Sequence, residues 1–299
     1  MKYLLIIAII LGGCTSADTK KDAPAQQTST QATKGKKQIN LTILLDLSDR
    51  IDPRSNPSQP QHFERDSTLI SYLTDYFLRQ MTVENAYATK GKIRVIFHPN
   101  PPDPGINLAA KKLNIDLSDM EPKEKKTVYK TLAATVAENI GNIYKTTISQ
   151  AQWPGSDIWR FFKNDVKDVA VDSDTTYRNI LVVFTDGYIY HQDSKDNDAN
   201  RYAYILPGLF DKYNLRKDKK WSETIDKLDF GLISKRDDLN QLEVLVLEVA
   251  PSPENRNDED IIRKVLDKWF SEMKVKRWKI INSDLPESTQ KKIHSFLES

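Results

Sequence analysis

Near-continuous apolar stretches alternate along the chain with segments whose apolar residues recur at helical spacing. The apolar stretches predict buried strands at residues 39–46, 92–98, 179–185, 242–250 and 275–281, with a short edge strand at 112–117. Helical spacing predicts helices at residues 62–81, 123–149, 156–167, 259–273 and 286–297. Strands that alternate with helices predict an α/β fold, a doubly wound and mostly parallel sheet with helices on both faces.

The beginning of the chain has the pattern of a targeting signal. Lys2 precedes an apolar run, residues 3–11, which is shorter than the ~20 residues that a membrane-spanning helix needs. Gly12 and Gly13 then precede Cys14. This resembles the lipobox of bacterial lipoproteins, which implies a signal peptide at residues 1–13 and a lipid anchor on Cys14. A free thiol near a cleaved terminus is the alternative.

The resemblance to lipoproteins also implies a location in the bacterial cell envelope. No acid follows Cys14 in the positions where an inner-membrane retention signal would stand, since Thr15 and Ser16 occupy them. We therefore expect the outer membrane. Residues 14–38 are polar and contain almost no large apolar residue, so they are predicted to be a flexible tether with a reach of roughly 25–30 Å.

Composition narrows the function further. Lys and Arg number 44 and Asp and Glu 42, and this near balance argues against a nucleic-acid-binding protein. The single cysteine excludes an intrachain disulfide and multi-cysteine metal sites. The glycine-rich loops of nucleotide-binding proteins and the nucleophile loop of serine hydrolases do not occur in the sequence.

Two acids stand at the ends of predicted strands. Asp46 ends the first strand, and Asp186 follows the strand at residues 179–185. Ligands of open parallel sheets bind outside the carboxyl ends of the strands. In a strand order of 3-2-1-4-5-6 these two strands are neighbours, and the acids would then share one edge of the sheet.

The residues around these acids resemble the von Willebrand factor A domain family and its metal-ion-dependent adhesion site. The first of that site's three loops is a D-x-S-x-S motif, matched here by Asp46 and Ser48. The second carries a Thr before a helix, and Ser156 stands in its position. The third is a T-D-G turn, matched by Asp186. The resemblance implies a Rossmann-like domain over residues 39–299, with an insertion around 188–241.

The resemblance implies a cofactor and a partner. Asp46, Ser48, Ser156 and Asp186 would hold Mg²⁺ or Mn²⁺, and a carboxylate of another protein would complete the coordination. Hydroxyl and carboxylate oxygens are the ligands that Mg²⁺ prefers. The expected function is therefore that of a membrane-anchored lipoprotein, not an enzyme, that binds another protein and no nucleic acid.

One residue departs from the family's motif. Arg50 stands where the family has a second Ser, and a guanidinium carries a fixed charge and no acceptor. It could swing outward, or turn inward and pair with Asp46 or Asp186 in place of a metal, while Asp49 could offer an extra oxygen. The two strand-end acids could also merely cap helices, and Ser156 could be a simple helix N-cap.

Two other functions stay open from the sequence. One is a metal-free structural or scaffolding lipoprotein of the envelope. The other is a metal-dependent phosphohydrolase with Asp46 and Asp186 as ligands, although no general base or nucleophile is identifiable. The tyrosines of the insertion would suit either a recognition surface or a small core of their own.

Overall fold

The described part of the chain begins close to the first predicted strand. The computed structural model describes residues 37–83, 88–151, 153–251, 254–255 and 257–299. The chain divides into Met1–Gly35 and Lys36–Ser299, and every described residue belongs to the second unit. The predicted signal peptide, Cys14 and most of the predicted tether lie outside the described residues. Within these ranges, no helix combines the length and the apolar character needed to cross a bilayer.

A six-stranded sheet forms the centre of the fold. The strands in the described ranges are β1 (Gln38–Leu45), β2 (Lys92–Ile96), β3 (Ile115–Asp116), β4 (Tyr177–Phe184), β5 (Asn197–Asp198), β6 (Arg201–Tyr202), β7 (Gly231–Leu232), β8 (Leu242–Val249) and β9 (Arg277–Asn282). The sheet has the order β3-β2-β1-β4-β8-β9, and all its pairs are parallel except that of β2 with β3. This is the predicted doubly wound order with an antiparallel edge strand.

Helices cover both faces of this sheet. Those in the described ranges are α1 (His62–Val83), α2 (Pro104–Lys112), α3 (Pro122–Gln150), α4 (Ile158–Arg160), α5 (Val166–Ala170), α6 (Pro207–Lys212), α7 (Trp221–Leu228), α8 (Asn257–Glu272) and α9 (Pro286–Glu298). Helices α1, α2, α3 and α9 bury their apolar faces in one core, and α4 to α8 bury theirs in the other. Alternate residues of β4 point into the two cores, Leu181 into one and Val182 into the other. The predicted α/β architecture is confirmed.

Outside the insertion, three elements differ from the sequence prediction. The helix predicted at 156–167 begins later, at Ile158, contains a π-helical turn at Phe161–Asp165 and continues to Ala170. Helix α2 was not predicted, although Asp103 caps its amino end by accepting hydrogen bonds from the backbone of Gly105 and Ile106. The edge strand β3 is only two residues long, and the predicted range before it contains the last residue of α2, Lys112, and its C-cap, Leu113.

The long connection between β4 and β8 folds mostly onto one core. It contains the small three-stranded sheet β5-β6-β7 and helices α6 and α7. Phe210, Ile225 and Phe230 are fully buried in the core that also contains α8. Tyr202 is buried there as well, whereas Tyr190 remains 44% exposed. Most aromatic residues of the insertion therefore pack in the core, and Tyr190 lies at the surface.

Candidate functional site

The two strand-end acids leave the same edge of the sheet from neighbouring strands. β1 and β4 run parallel with Leu45 opposite Phe184, so Asp46 and Asp186 follow paired positions. The backbone N–H of Asp46 donates to the carbonyl of Phe184 at 3.2 Å and continues the pairing past β1. The predicted adjacency of the two acids is confirmed.

The first loop is a tight turn around the Asp46 carboxylate. Its Oδ1 accepts a hydrogen bond from the Ser48 backbone N–H at 3.0 Å, and its Oδ2 accepts one from Ser48 Oγ at 3.1 Å. A short 3-10 helix, Asp49–Ile51, follows at once. These two hydrogen bonds fix the Ser48 side chain against the Asp46 carboxylate. Asp side chains commonly accept the backbone N–H two residues on in turns of this kind.

The second loop lies directly against the first. The N–H of Gly155 donates to the carbonyl of Leu47 at 3.2 Å, and Ser156 forms a backbone bridge with Tyr190 beyond the third loop. Gly155 has φ of +71°, a conformation that suits glycine. This residue thus lets the chain bring Ser156 between the other two loops.

Ser156 does not cap the helix that follows it. Asp157 is the N-cap instead, since its Oδ1 accepts the backbone N–H of Arg160 at 3.0 Å. Ser156 is 4% exposed, and its Oγ has no hydrogen-bond partner within the described residues. Because buried hydroxyls nearly always have a partner, this oxygen is available to a ligand. The simple N-cap interpretation of Ser156 is wrong.

The third loop turns sharply after β4 and packs against α8. Oδ1 of Asp186 accepts the backbone N–H of Tyr188 at 2.9 Å, which fixes the carboxylate. Gly187 has φ of +99°, and a Cβ there would lie 2.9 Å from Ile262 Cγ2. Glycine therefore meets both the conformational and the steric requirement of this turn.

Nearby positive charge does not fully compensate the carboxylates of Asp46 and Asp186. Burial raises the pKa of Asp46 to about 6, against the opposing effects of the Arg50 charge and the Ser48 hydrogen bonds. Burial and the nearby charge of Asp46 raise the pKa of Asp186 to about 7. Two like charges in a desolvated place disfavour ionisation of each other. A cation between the loops would relieve this.

Arg50 is turned inward and buried, but its partner is neither strand-end acid. Its Nη2 donates to Asp66 Oδ2 at 2.6 Å, and the hydroxyl of Tyr144 donates to the same oxygen at 2.8 Å. Within the described residues, Nε and Nη1 of Arg50 have no hydrogen-bond partner. The inward alternative is therefore correct, but Arg50 pairs with Asp66 and not, as that alternative had it, with Asp46 or Asp186. Asp49 is exposed, and its charge contributes to the raised pKa of Asp186.

A second buried ion pair, which the sequence analysis missed, lies near the first. Arg65 Nε donates to Glu248 Oε2 at 2.7 Å, and the charge of Asp66 contributes to the raised pKa of the buried Glu248 carboxyl. Arg65 and Asp66 stand four residues before Leu69 and Ile70 on the apolar face of α1. Charged residues on an apolar stripe were the available signal.

The donor set of the three loops fits a hard divalent cation. It consists of two carboxylates, Asp46 and Asp186, and two hydroxyls, Ser48 and the unpartnered Ser156. Over the described ranges, no three His, Cys, Asp or Glu side chains cluster suitably for a metal, so a cation here would depend on hydroxyl and water ligands. Arg50 forms its ion pair with Asp66, at 2.6 Å, and with neither strand-end acid.

Comparison with known proteins does not assign the chain to a family. No family model matches it, and no curated protein matches it. One similar solved structure is described as an aerotolerance-related membrane protein from Bacteroides fragilis with multiple mutations to serines. It shares 13% identity, covers 86% of this chain and 97% of its own, and superposes with a TM-score of 0.36. Neither membership of a family nor a shared function follows from a likeness this low.

Proposed function

We propose that this chain is a lipid-anchored protein of the bacterial cell envelope that binds another protein at the carboxyl edge of its sheet. The proposal assigns it no catalytic step. The observation that carries it is the meeting of three loops around Asp46, Ser48, Ser156 and Asp186, with one buried hydroxyl left unpartnered. The arrangement resembles the von Willebrand factor A adhesion site in the order of its loops and in its two acids, with Ser156 in the Thr position and Arg50 in place of the second Ser. Cys14 would carry the anchor, in the outer membrane.

We propose that these four residues hold Mg²⁺ or Mn²⁺. The ion would supply a positive charge and an open coordination position for a carboxylate of the partner. Asp46 and Asp186 carry the charge that attracts the ion, and Ser48 and Ser156 offer neutral oxygens. The buried guanidinium of Arg50 adds a positive charge nearby, so the affinity is expected to be weaker than that of a site with two serines.

An exposed aromatic side chain at this edge favours a protein as the partner. Tyr190, bridged to Ser156, is 44% exposed, and its ring stands edge-on to Tyr204 at 6.4 Å. Tyrosine is enriched in the centres of protein interfaces because it offers a large, rigid contact area together with a polar hydroxyl. The three loops and Tyr190 would form one docking surface.

Titration calorimetry with Mg²⁺ and Mn²⁺ tests the ion. For the unlipidated chain, residues 15–299, we expect saturable binding of one ion that weakens at least tenfold in Asp46→Asn and in Asp186→Asn. Asp198→Asn, an exposed acid of the insertion, is the matched control and should bind as the parent does. If the parent chain binds neither ion, the metal is removed from the proposal and a metal-free binding surface remains.

Capture of the partner tests the function itself. The unlipidated chain, immobilised in Mg²⁺, is expected to retain from envelope extracts a protein that Asp46→Asn and Asp186→Asn retain at least tenfold less well. Loss of the same protein in chelator would tie its binding to the ion, because the partner's carboxylate would then have no ligand position. An identical set of retained proteins in the parent and both variants would favour the structural or scaffolding role.

A further inference from the structure

A basic pocket lies at the other edge of the sheet, where the strands begin. It has a volume of about 440 Å³ and is lined by Lys37, Ile39, Tyr76, Arg178, Glu243, Lys276, Arg277 and Ser299. Lys37 immediately precedes β1, while Arg178, Glu243 and Arg277 stand in the first two positions of β4, β8 and β9. The pocket therefore lies at the opposite edge of the sheet from the three-loop site, the site formed by Asp46, Ser48, Ser156 and Asp186.

One buried carboxylate organises the cations of this pocket. Glu243 is 3% exposed and accepts hydrogen bonds from Arg178 Nη2 at 2.9 Å, Arg277 Nη2 at 2.6 Å and Lys276 Nζ at 2.8 Å. These bonds lower the pKa of Glu243 to about 2, although burial acts in the opposite direction. With Lys37, four cationic side chains line the pocket around a single acidic side chain. The basic side chains of the lining therefore outnumber the acidic one, and the bonds to Glu243 hold Arg178 and Arg277 in place.

Several donors of the pocket are unused. The hydroxyl of Tyr76, a residue 2% exposed, forms no hydrogen bond with another described residue. Lys37 forms no ion pair within the described ranges, and Lys276 Nζ uses one of its three N–H groups on Glu243. Hydroxyl and ammonium groups donate hydrogen bonds to anions with several oxygens, and a phosphate is such an anion.

We propose that this pocket binds the phosphate of an anionic phospholipid headgroup. The choice of a lipid rests on the proposed anchor at Cys14, since the chain that leads to Cys14 leaves the described domain at Lys37, beside the pocket. Because the tether reaches only roughly 25–30 Å, the anchor would keep such headgroups at high effective concentration around the pocket. The amino edge of the sheet then rests on the bilayer, and the carboxyl edge faces away from it towards a partner.

Sedimentation with vesicles tests this proposal without the anchor. The unlipidated chain, residues 15–299, is expected to bind vesicles of 70% phosphatidylcholine and 30% phosphatidylglycerol but not pure phosphatidylcholine. Lys37→Ala/Lys276→Ala is expected to bind about 30-fold more weakly, because each basic residue at an anionic surface contributes about 1 kcal/mol. Tyr76→Phe, which keeps the ring, is expected to lose about 2- to 10-fold, the effect of one hydrogen bond.

The control variant removes two positive charges outside the pocket. Lys219→Ala/Lys227→Ala changes exposed lysines of the insertion and is expected to bind within about twofold of the parent. Equal losses in the two double variants, or no vesicle binding by the parent, would overturn the pocket. Binding of inorganic phosphate without vesicle binding would overturn the lipid as its occupant. Asp46→Asn should bind vesicles as the parent does, so failure at the three-loop site leaves this result interpretable.

Discussion

Replacing Arg50 with alanine is expected to lower the free energy of unfolding by about 3–5 kcal/mol. The variant leaves the Asp66 carboxylate fully buried, with the Tyr144 hydroxyl as its remaining hydrogen-bond partner. An ionised carboxyl without its cation is far more costly in a protein interior than in water. Urea denaturation at pH 7, in chelator, measures the difference.

Two further variants separate the buried charge from the loss of packing. Arg50→Met/Asp66→Asn removes both charges while keeping most of the volume, and it should recover most of the lost stability. Arg54→Ala removes an exposed arginine that pairs with Asp52 in the same loop, and it should cost less than about 1 kcal/mol. A cost below about 1 kcal/mol for Arg50→Ala would contradict a structural role for this ion pair.

The same ion pair explains how the three-loop site can tolerate an arginine. Asp66 holds the guanidinium 2.6 Å away on α1, so Arg50 supports the loop instead of neutralising Asp46 and Asp186. The raised pKa values of both acids, about 6 and about 7, indicate that its charge does not fully compensate theirs. This edge of the sheet therefore combines two strand-end acids with a buried salt bridge between Arg50 and Asp66.

The sequence was informative where burial alone determines the structure. The apolar runs that became β1 and β4 each end in an acid, and a doubly wound sheet puts their carboxyl ends side by side. Asp46 and Asp186 could therefore be predicted as neighbours under one strand order, which the structure has. The alternation of strands with helices restricts parallel connections to few arrangements, and the two strands are neighbours in the doubly wound order 3-2-1-4-5-6.

The helix cap and the direction of Arg50 could not be predicted from the sequence. The first depends on a choice between two similar residues, and the second on contacts distant in the chain. Ser156 and Asp157 are both good helix caps, and tertiary packing assigns the cap to Asp157. Asp66, the partner of Arg50, lies on α1. Tyr144, which donates to the same carboxylate, lies on α3. No local pattern links these three residues, so the direction of the guanidinium was left open.

The raised pKa of Asp186 predicts that this carboxyl destabilises the folded protein at neutral and alkaline pH. Its pKa is about 7 in the folded state and about 3.9 in an unfolded chain. Between these values the folded state holds a proton that the unfolded state has lost, so the free energy of unfolding falls as the pH rises. In chelator, we expect Asp186→Asn to be more stable than the parent by roughly 2–4 kcal/mol at pH 8 and nearly equal to it at pH 4.

Asparagine is a close test because its side-chain oxygen can still accept the Tyr188 N–H, as Asp186 Oδ1 does at 2.9 Å. Thermal and urea unfolding of both proteins from pH 4 to pH 8 give the difference, and Asp198→Asn, an exposed acid of the insertion, should show none. If Asp186→Asn is no more stable than the parent at pH 8, the carboxyl is already compensated and the argument for a bound cation loses its electrostatic basis. If the difference grows with pH and millimolar Mg²⁺ then stabilises the parent alone, the ionised pair needs a cation that Arg50 does not provide.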